Sequence, residues 1–215
     1  MEMTVQKRHI TPGIYLVIDP SMDEAIITDK LICILKEKIA AVQLWDNFRE
    51  GENITAFIQK ICALCHAENV PVLINNKWEY LISTSLDGIH FDHIPPNYDT
   101  IRAQVNRPFI SGLTCGNDLQ PVQWAASNGL DYISFCSMFP SATANSCELV
   151  NYSTIHTAKT IFSNPIFLAG GIKPENMIQL QELDYSGIAV ISGIMNAANP
   201  GESVRKYYSN LKSKS

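Results

Sequence analysis

Two pairs of residues late in the chain, Gly170-Gly171 and Ser192-Gly193, have the composition of an anion-binding backbone. Each follows a short apolar run, Ile166–Ala169 and Ile188–Ile191 respectively. Because glycine has no Cβ, its backbone can approach a ligand closely, and amide N–H groups at a turn can bind phosphate without a lysine. Each charge-assisted hydrogen bond of this kind contributes about 1.5–3 kcal/mol. The two pairs predict a phosphate site, although the same glycines could serve only as tight turns.

Neutral polar side chains follow several other apolar runs. The set comprises six amides and hydroxyls: Gln43, Asn75, Asn76, Thr114, Ser141 and Thr143. Such groups recognise a heterocycle through its pattern of hydrogen-bond donors and acceptors. Any one of them could simply cap the end of a strand, but six on one rim favour a ligand site.

A repeated pattern must position these residues, because short apolar runs alternate with longer amphipathic segments. Eight runs are predicted as strands: Ile14–Ile18, Ala41–Leu44, Pro71–Ile74, Gly88–Phe91, Phe109–Leu113, Tyr132–Phe135, Ile166–Ala169 and Ile188–Ile191. Helices are predicted near 23–38, 53–67, 77–84, 97–104, 118–128, 153–162, 174–183 and 202–212. The strand runs are apolar throughout, which is typical of strands buried on both faces.

Eight βα units with no change of composition predict one α/β domain over residues 1–215, folded as a TIM (β/α)8 barrel. An open doubly wound sheet is the alternative, but a count of eight favours closure. In such a barrel the active site forms at the carboxyl ends of the strands, and the loops after strands seven and eight often bind phosphate. Both glycine pairs and the polar set fall at those ends.

Composition and charge argue against several other classes. The 215 residues are 46% hydrophobic and 17% charged with a formal net charge of -5, which suits a globular core better than a nucleic-acid surface. No signal peptide and no membrane-spanning segment is visible, so no membrane partner is expected. The six cysteines are interpreted as reduced thiols of a cytoplasmic protein, with Cys62 and Cys65 as buried small hydrophobes on one helix.

The strand ends also carry a family resemblance, which extends from Gly13 to about Ala198. The matching segments are Gly13–Val17, Val42–Leu44, Leu73–Asn75, Asp87–His90, Asp131–Ile133, Phe139–Thr143, Ala169–Ile172 with Glu175-Asn176, and Val190–Ile194. In this order and placement they make the chain similar to thiamine phosphate synthase. The resemblance implies an enzyme that joins an aminopyrimidine methyl diphosphate to a thiazole phosphate, releasing pyrophosphate.

The resemblance implies roles for individual residues as well. Gln43 and Asn75 would lie at the pyrimidine diphosphate, and Thr114 stands where the family commonly has a serine near the diphosphate. Ser141 and Thr143 would contact the thiazole phosphate, whose phosphate group the two glycine pairs would hold. The implied catalytic set is therefore Gln43, Asn75, Thr114 and Thr143.

The sequence departs from the family pattern where a metal and the leaving diphosphate would bind. Trp45 and Asn47 replace an arginine and a lysine after the second strand, and Asn76 replaces an aspartate after the third. Magnesium prefers carboxylate and water oxygens. We therefore expect at most a weakened magnesium site at Asn76 and Asp92, with Asp46 as a further candidate.

Three functions remain open at this point. A synthase with altered ligands is favoured because the resemblance spans nearly the whole chain. The alternatives are a non-catalytic binder of a phosphorylated ligand, or an enzyme acting on a different phosphorylated heterocycle. A thiazole tautomerase, from a sister branch of the family, is disfavoured because Gly116 stands where its catalytic histidine would be. In each case the expected partners are small phosphorylated heterocycles.

Overall fold

The computed structural model describes residues 7–140 and 148–211, and eight strands within them close into a parallel barrel. The strands are β1 Gly13–Ile18, β2 Ala41–Leu44, β3 Val72–Asn75, β4 Gly88–Phe91, β5 Ile110–Cys115, β6 Tyr132–Phe135, β7 Ile166–Ala169 and β8 Gly187–Val190. Each strand pairs with its neighbours along the chain, and β8 returns to β1 with Gly187 opposite Gly13. The predicted (β/α)8 barrel is confirmed, and the open sheet is excluded.

Side chains alternate between the barrel interior and the layer beneath the helices. Tyr15, Tyr132 and Phe167 fill the interior, with ring centroids 5.5 to 5.8 Å apart. Gly112 makes room for them, because a Cβ at this position would overlap the Tyr132 ring. Leu16 and the other outward-facing residues pack beneath the helices in the main hydrophobic core. Because these aromatic rings already fill the interior, the inward positions nearer the carboxyl ends of the strands can carry polar groups.

Helices connect the strands and cover the barrel. They are α1 Glu24–Ile34, α2 Ile54–Ala67, α3 Tyr80–Ser83, α4 Tyr98–Val105, α5 Gln120–Ser127, α6 Tyr152–Ile161, α7 Ser192–Met195 and α8 Pro200–Asn210. Asp23, Asn53 and Asn199 cap the starts of α1, α2 and α8 through their side chains. Cys62 and Cys65 are buried on α2, as predicted. No helix in residues 7–140 or 148–211 combines the length and apolar character needed to cross a membrane.

Near the glycine pairs, one helical prediction was wrong and one short helix was not predicted. The segment 174–183 forms only a short 3-10 helix, Met177–Leu180. The side chain of Asn176 is engaged by the preceding loop, since it donates to the Gly171 carbonyl at 2.9 Å and accepts from the Lys173 N–H at 2.8 Å. After β8 the short helix α7 precedes the expected final helix. It begins at Ser192, within one of the predicted anion-binding pairs.

Candidate active site

A cavity of about 670 Å³ opens at the carboxyl ends of the strands, where the sequence predicted the site. The predicted residues that line it are Gln43, Asn75, Asp92, Thr114, Gly170, Gly171, Ser192 and Gly193. Asn76 lies at its edge and donates a hydrogen bond to Asp92 at 2.8 Å. Ser141 and Thr143 lie outside the described residues.

A continuous series of hydrogen bonds crosses the cavity floor and is called here the polar chain. Its members are Thr114, His90, Tyr132, Tyr15, Gln43, Asn75 and Asp92. The first three links, from Thr114 Oγ1 to the Tyr15 hydroxyl, are each 2.8 Å long. The Tyr15 hydroxyl then donates to Gln43 Oε1 at 2.9 Å, and Gln43 Nε2 donates to Asn75 Oδ1 at 2.6 Å. Asn75 Nδ2 ends the series by donating to Asp92 Oδ2 at 3.0 Å.

Register explains why residues from six different strands and loops meet in this way. Val17 on β1 lies opposite Gln43 on β2, Gln43 lies opposite Leu73 on β3, and Asn75 lies opposite His90 on β4. Every second residue of a strand faces the same side. The inward-facing side chains of neighbouring strands therefore stack into layers at the carboxyl end of the barrel.

Burial determines the charge state of the polar chain. Loss of solvation lowers the pKa of His90 from 6.5 to about 4, and the nearby Asp92 opposes that shift. The imidazole is therefore neutral near pH 7. Burial likewise raises the pKa of the Tyr15 and Tyr132 hydroxyls, so both keep their protons. The floor is uncharged from Thr114 to Asn75 and ends at one carboxylate.

Asn76 lies between two carboxylates at the edge of the cavity. Its Nδ2 donates to Asp92 Oδ2 at 2.8 Å and to Asp46 Oδ2 at 3.2 Å, and its Oδ1 accepts from the Asp92 N–H at 3.0 Å. Its φ of 54° is a left-handed conformation that asparagine tolerates. The amide nitrogen of Asn76 thus bridges the two carboxylates.

The Asn76 amide makes this a poorer site for magnesium than a third carboxylate would, because magnesium prefers oxygen ligands. The side-chain oxygen of Asn76 accepts from a backbone N–H, and one oxygen of each carboxylate, Oδ2, accepts from its amide nitrogen. In addition, the part of the chain that the structure describes contains no group of three or more His, Cys, Asp or Glu side chains able to hold a metal.

The opposite side of the cavity is built from backbone in the loops after β7 and β8. Gly170 and Gly171 have φ values of 86° and 63°, which L side chains rarely adopt. A Cβ at Gly171 would lie 2.6 Å from the Pro140 carbonyl oxygen and 2.7 Å from that of Phe139. Glycine is therefore required here for both its conformation and its size.

The loop after β8 is fixed to the loop after β7 by Tyr207 of α8. Its hydroxyl donates to the Ile172 carbonyl at 3.0 Å, and the same ring packs so close to Gly193 that a Cβ there would overlap it. Because α7 begins at Ser192, the amide N–H groups of its first residues have no acceptor within the helix. Lys173 also lines the cavity and brings a positive charge to this side.

The sequence analysis missed several lining residues, notably Tyr15, Tyr132 and Lys173. The two tyrosines lie one or more inward positions below the strand ends, and only the residues that close the strands were considered. Their signal is the period of two, since Tyr15 faces inward with Val17 and Tyr132 with Ser134. Lys173 lies in a loop whose path was misjudged as the approach to a longer helix.

Together, the closed parallel barrel and the polar cavity at its carboxyl ends define a TIM-barrel protein with a candidate site for a small molecule. The chain belongs to the thiamine monophosphate synthase family, whose model matches residues 14–194. A thiamine-phosphate synthase of Aromatoleum aromaticum is 26% identical over 91% of this chain and 94% of its own length. One from Picrophilus torridus is 32% identical over 69% of this chain and 72% of its own length.

Among solved structures, the fold is similar to that of a thiamine phosphate pyrophosphorylase from Pyrococcus furiosus. The TM-score is 0.79 at 16% identity, with 92% of this chain and 94% of that chain covered. At this identity the likeness shows the fold, and the family assignment rests on the sequence matches.

Proposed function

We propose that this protein forms thiamine phosphate from a hydroxymethylpyrimidine diphosphate and a thiazole phosphate. Family membership over residues 14–194 supports the reaction class. The observation that carries the proposal is the division of one cavity into two unlike halves: the neutral polar chain on one side, and glycine loops with Lys173 on the other. A ligand with an uncharged ring and a phosphate matches that division.

The glycine loops would hold the thiazole phosphate. Phosphate oxygens are acceptors, and the first amide N–H groups of α7 together with Gly170-Gly171 would supply donors. Among the Lys and Arg side chains of the described residues, Lys173 alone lines this cavity. Ser141 and Thr143 are proposed to complete this side, as the family resemblance implies.

The polar chain would contact the pyrimidine. Gln43, Asn75 and Thr114 reach the cavity from β2, β3 and β5. In the proposed reaction the bond from the pyrimidine methylene carbon to the diphosphate oxygen breaks, and that carbon bonds to the thiazole nitrogen. Pyrophosphate departs with the electron pair of the broken bond. Loss of the diphosphate leaves a positive charge on the pyrimidine. Neutral side chains around the ring position it and carry no negative charge that would attract the cation away from the thiazole nitrogen.

Departure of the diphosphate is the step that this chain supports least. Trp45 lines the cavity, and Asn47 donates to Asp19 at 3.1 Å, so neither supplies a cation to a leaving group. Asn76 bridges Asp46 and Asp92 where a metal would otherwise bind. We therefore propose a slow synthase whose rate depends only weakly on magnesium.

The test is a coupling assay with both precursors, in which thiamine phosphate and pyrophosphate are quantified with magnesium and with a chelator. We expect equal amounts of the two products and a rate that changes by less than about tenfold between the conditions. Asn75→Leu, which removes a member of the polar chain, should abolish turnover. Gly116→Ala is the matched control, because a Cβ there meets nothing within 4 Å.

A protein that binds either precursor but forms no product would instead be a phosphate-ligand binder or an enzyme for another heterocycle. The Asn76 bridge and the cavity position of Trp45, which leave the diphosphate half without cations among the described residues, favour that second function over a synthase. Binding of neither precursor would contradict the synthase and leave only a site for another heterocycle.

A further inference from the structure

The hydrogen bonds of the polar chain all run in one donor-to-acceptor order, and Asp92, its only ionised member, determines that order. The Asp92 carboxylate can only accept hydrogen bonds, so Asn75 must turn its Nδ2 toward Asp92 and its Oδ1 toward Gln43. Gln43 must then donate through Nε2, which leaves its Oε1 facing Tyr15. Each amide orientation follows from the one before it.

The hydrogen-bond directions of four further groups follow in the same way. The Tyr15 hydroxyl has one proton and gives it to Gln43, so it can only accept from Tyr132. The single proton of Tyr132 is used at Tyr15, and its oxygen must therefore accept from His90 Nδ1. A neutral His90 that carries its proton on Nδ1 has a bare Nε2, which accepts the proton of Thr114.

We propose that Asp92 is a positioning residue that orders the hydrogen bonds of the whole polar chain, holding His90 as the neutral Nδ1–H tautomer and Thr114 as a pure acceptor toward the cavity. The link between Asp92 and Thr114 runs through five intervening side chains. No direct contact between the two is needed. The chain is buried along this path, with Gln43, Asn75 and His90 each about 5% exposed or less, so water does not offer competing partners.

This ordering specifies the chemistry of the ligand and deepens the proposed function on which it rests. The lone pairs that remain on Thr114 require a donor such as the exocyclic amine of an aminopyrimidine. A diphosphate oxygen, itself an acceptor, could bond to Thr114 only if Thr114 released His90. Thr114 is therefore assigned to the ring and not to the diphosphate, where the family resemblance would place it.

The two carboxylates beside Asn76 provide a matched pair of variants. Both Asp46 and Asp92 accept from Asn76, but only Asp92 also accepts from Asn75 and so terminates the polar chain. Asp92→Ala removes the group that orders the chain, whereas Asp46→Ala removes an equal charge at the same edge. A merely structural role for Asp92 would affect stability without changing the tautomer of His90.

The experiment is a long-range ¹H–¹⁵N NMR spectrum of the His90 ring at neutral pH, without substrate. We expect the Nδ1–H form to exceed the Nε2–H form by at least about tenfold in the unaltered protein and in Asp46→Ala, because a charged acceptor decides the direction. In Asp92→Ala both directions become available, and the ratio should fall toward one. An Nε2–H form in the unaltered protein would overturn the proposal even if no variant folds.

A binding arm uses an aminopyrimidine and its oxo analogue as probes. The unaltered protein should bind the amine at least about tenfold more tightly, and Asp92→Ala should lose that preference. Equal affinity of the unaltered protein for both probes would contradict the assignment of Thr114. Because the NMR result needs no ligand, it stands or fails separately from the coupling assay.

Discussion

The two sides of the cavity differ in the groups that they offer to a ligand: one presents side chains and the other presents backbone. The polar chain uses buried side chains from β1 to β6, each of which depends on its neighbour for a hydrogen bond. The loops after β7 and β8 use backbone, and their important residues are glycines that must lack a side chain. A substitution in the polar chain should therefore change the hydrogen bonds of the other members, whereas a substitution in the loops should have only a local effect.

The largest expected effect comes from giving the polar side the charges that it lacks. The triple variant Trp45→Arg, Asn47→Lys and Asn76→Asp should raise thiamine phosphate formation by about 10²–10³-fold, because positioned cations stabilise the departing diphosphate. Asn76→Asp also replaces the amide bridge by a third carboxylate, so the gain should require magnesium.

Single and double variants are the control, since changes that act on one leaving group are coupled and not additive. Thermal unfolding must be measured beside the rate, because removal of Trp45 could open a cavity. A folded triple variant that binds the pyrimidine diphosphate no better and makes no more product would count against the synthase function.

The next effect is a dependence of stability on pH that originates in the polar chain. The pKa of His90 is about 4 in the folded protein and near 6.5 when exposed. As the pH falls from 6.5 to 4, the unfolded state gains a proton that the folded state does not, so the free energy of unfolding decreases. The loss from this group should be on the order of 3 kcal/mol and should level off outside that window.

Urea unfolding at several pH values, compared with His90→Gln, measures this contribution. The variant cannot titrate at this position and should show a shallower decline between pH 6.5 and 4. Parallel curves for the two proteins would mean that His90 ionises normally and that the polar chain is not sealed from water.

A smaller effect is the loss of stability when a tyrosine hydroxyl is removed, which should be greater inside the polar chain than outside it. Tyr15→Phe leaves Gln43 Oε1 and the Tyr132 hydroxyl without their partner and should cost about 1–3 kcal/mol of stability. Tyr98→Phe, outside the barrel, should cost only about 0.5–1.5 kcal/mol, since Ser111 keeps its bond to Asp131. Only Tyr15→Phe should alter the NMR signals of His90.

The smallest effect belongs to the loops and should stay local. Gly171→Ala forces a left-handed residue at a strain of about 1–2 kcal/mol and places its Cβ against the Phe139 and Pro140 carbonyls. The loop must shift to relieve this overlap, so inorganic phosphate should bind roughly tenfold more weakly. Gly116→Ala, on the same rim with open space around it, should bind as before. The His90 tautomer should be unchanged in both; a change in Gly171→Ala would show that the two sides are coupled.

The two sides also differ in how well the sequence predicted them. The loop glycines line the cavity because the βα pattern places them at the carboxyl ends of β7 and β8, whereas their binding of phosphate stays a prediction. Gln43 and Asn75 were found because they close or nearly close their strands. Tyr15, Tyr132 and the path through His90 were missed, since that path depends on register across the barrel.

The position of Asn76 was the hardest to predict. Its bridge between Asp46 and Asp92 depends on the conformations of three loops and on a left-handed backbone at Asn76 itself. Substitution of a family aspartate by asparagine suggested a weakened metal site. The sequence alone did not predict that the amide nitrogen would bridge the two carboxylates.

The division of the cavity is tested most directly by a crystal structure of the protein with bound thiamine phosphate. We predict phosphate oxygens on the amides of Gly170-Gly171 and Ser192-Gly193, with the pyrimidine amine donating to Thr114 beside Gln43. A phosphate bound among Asp46, Asn76 and Asp92, or a pyrimidine that lies against Lys173, would contradict it.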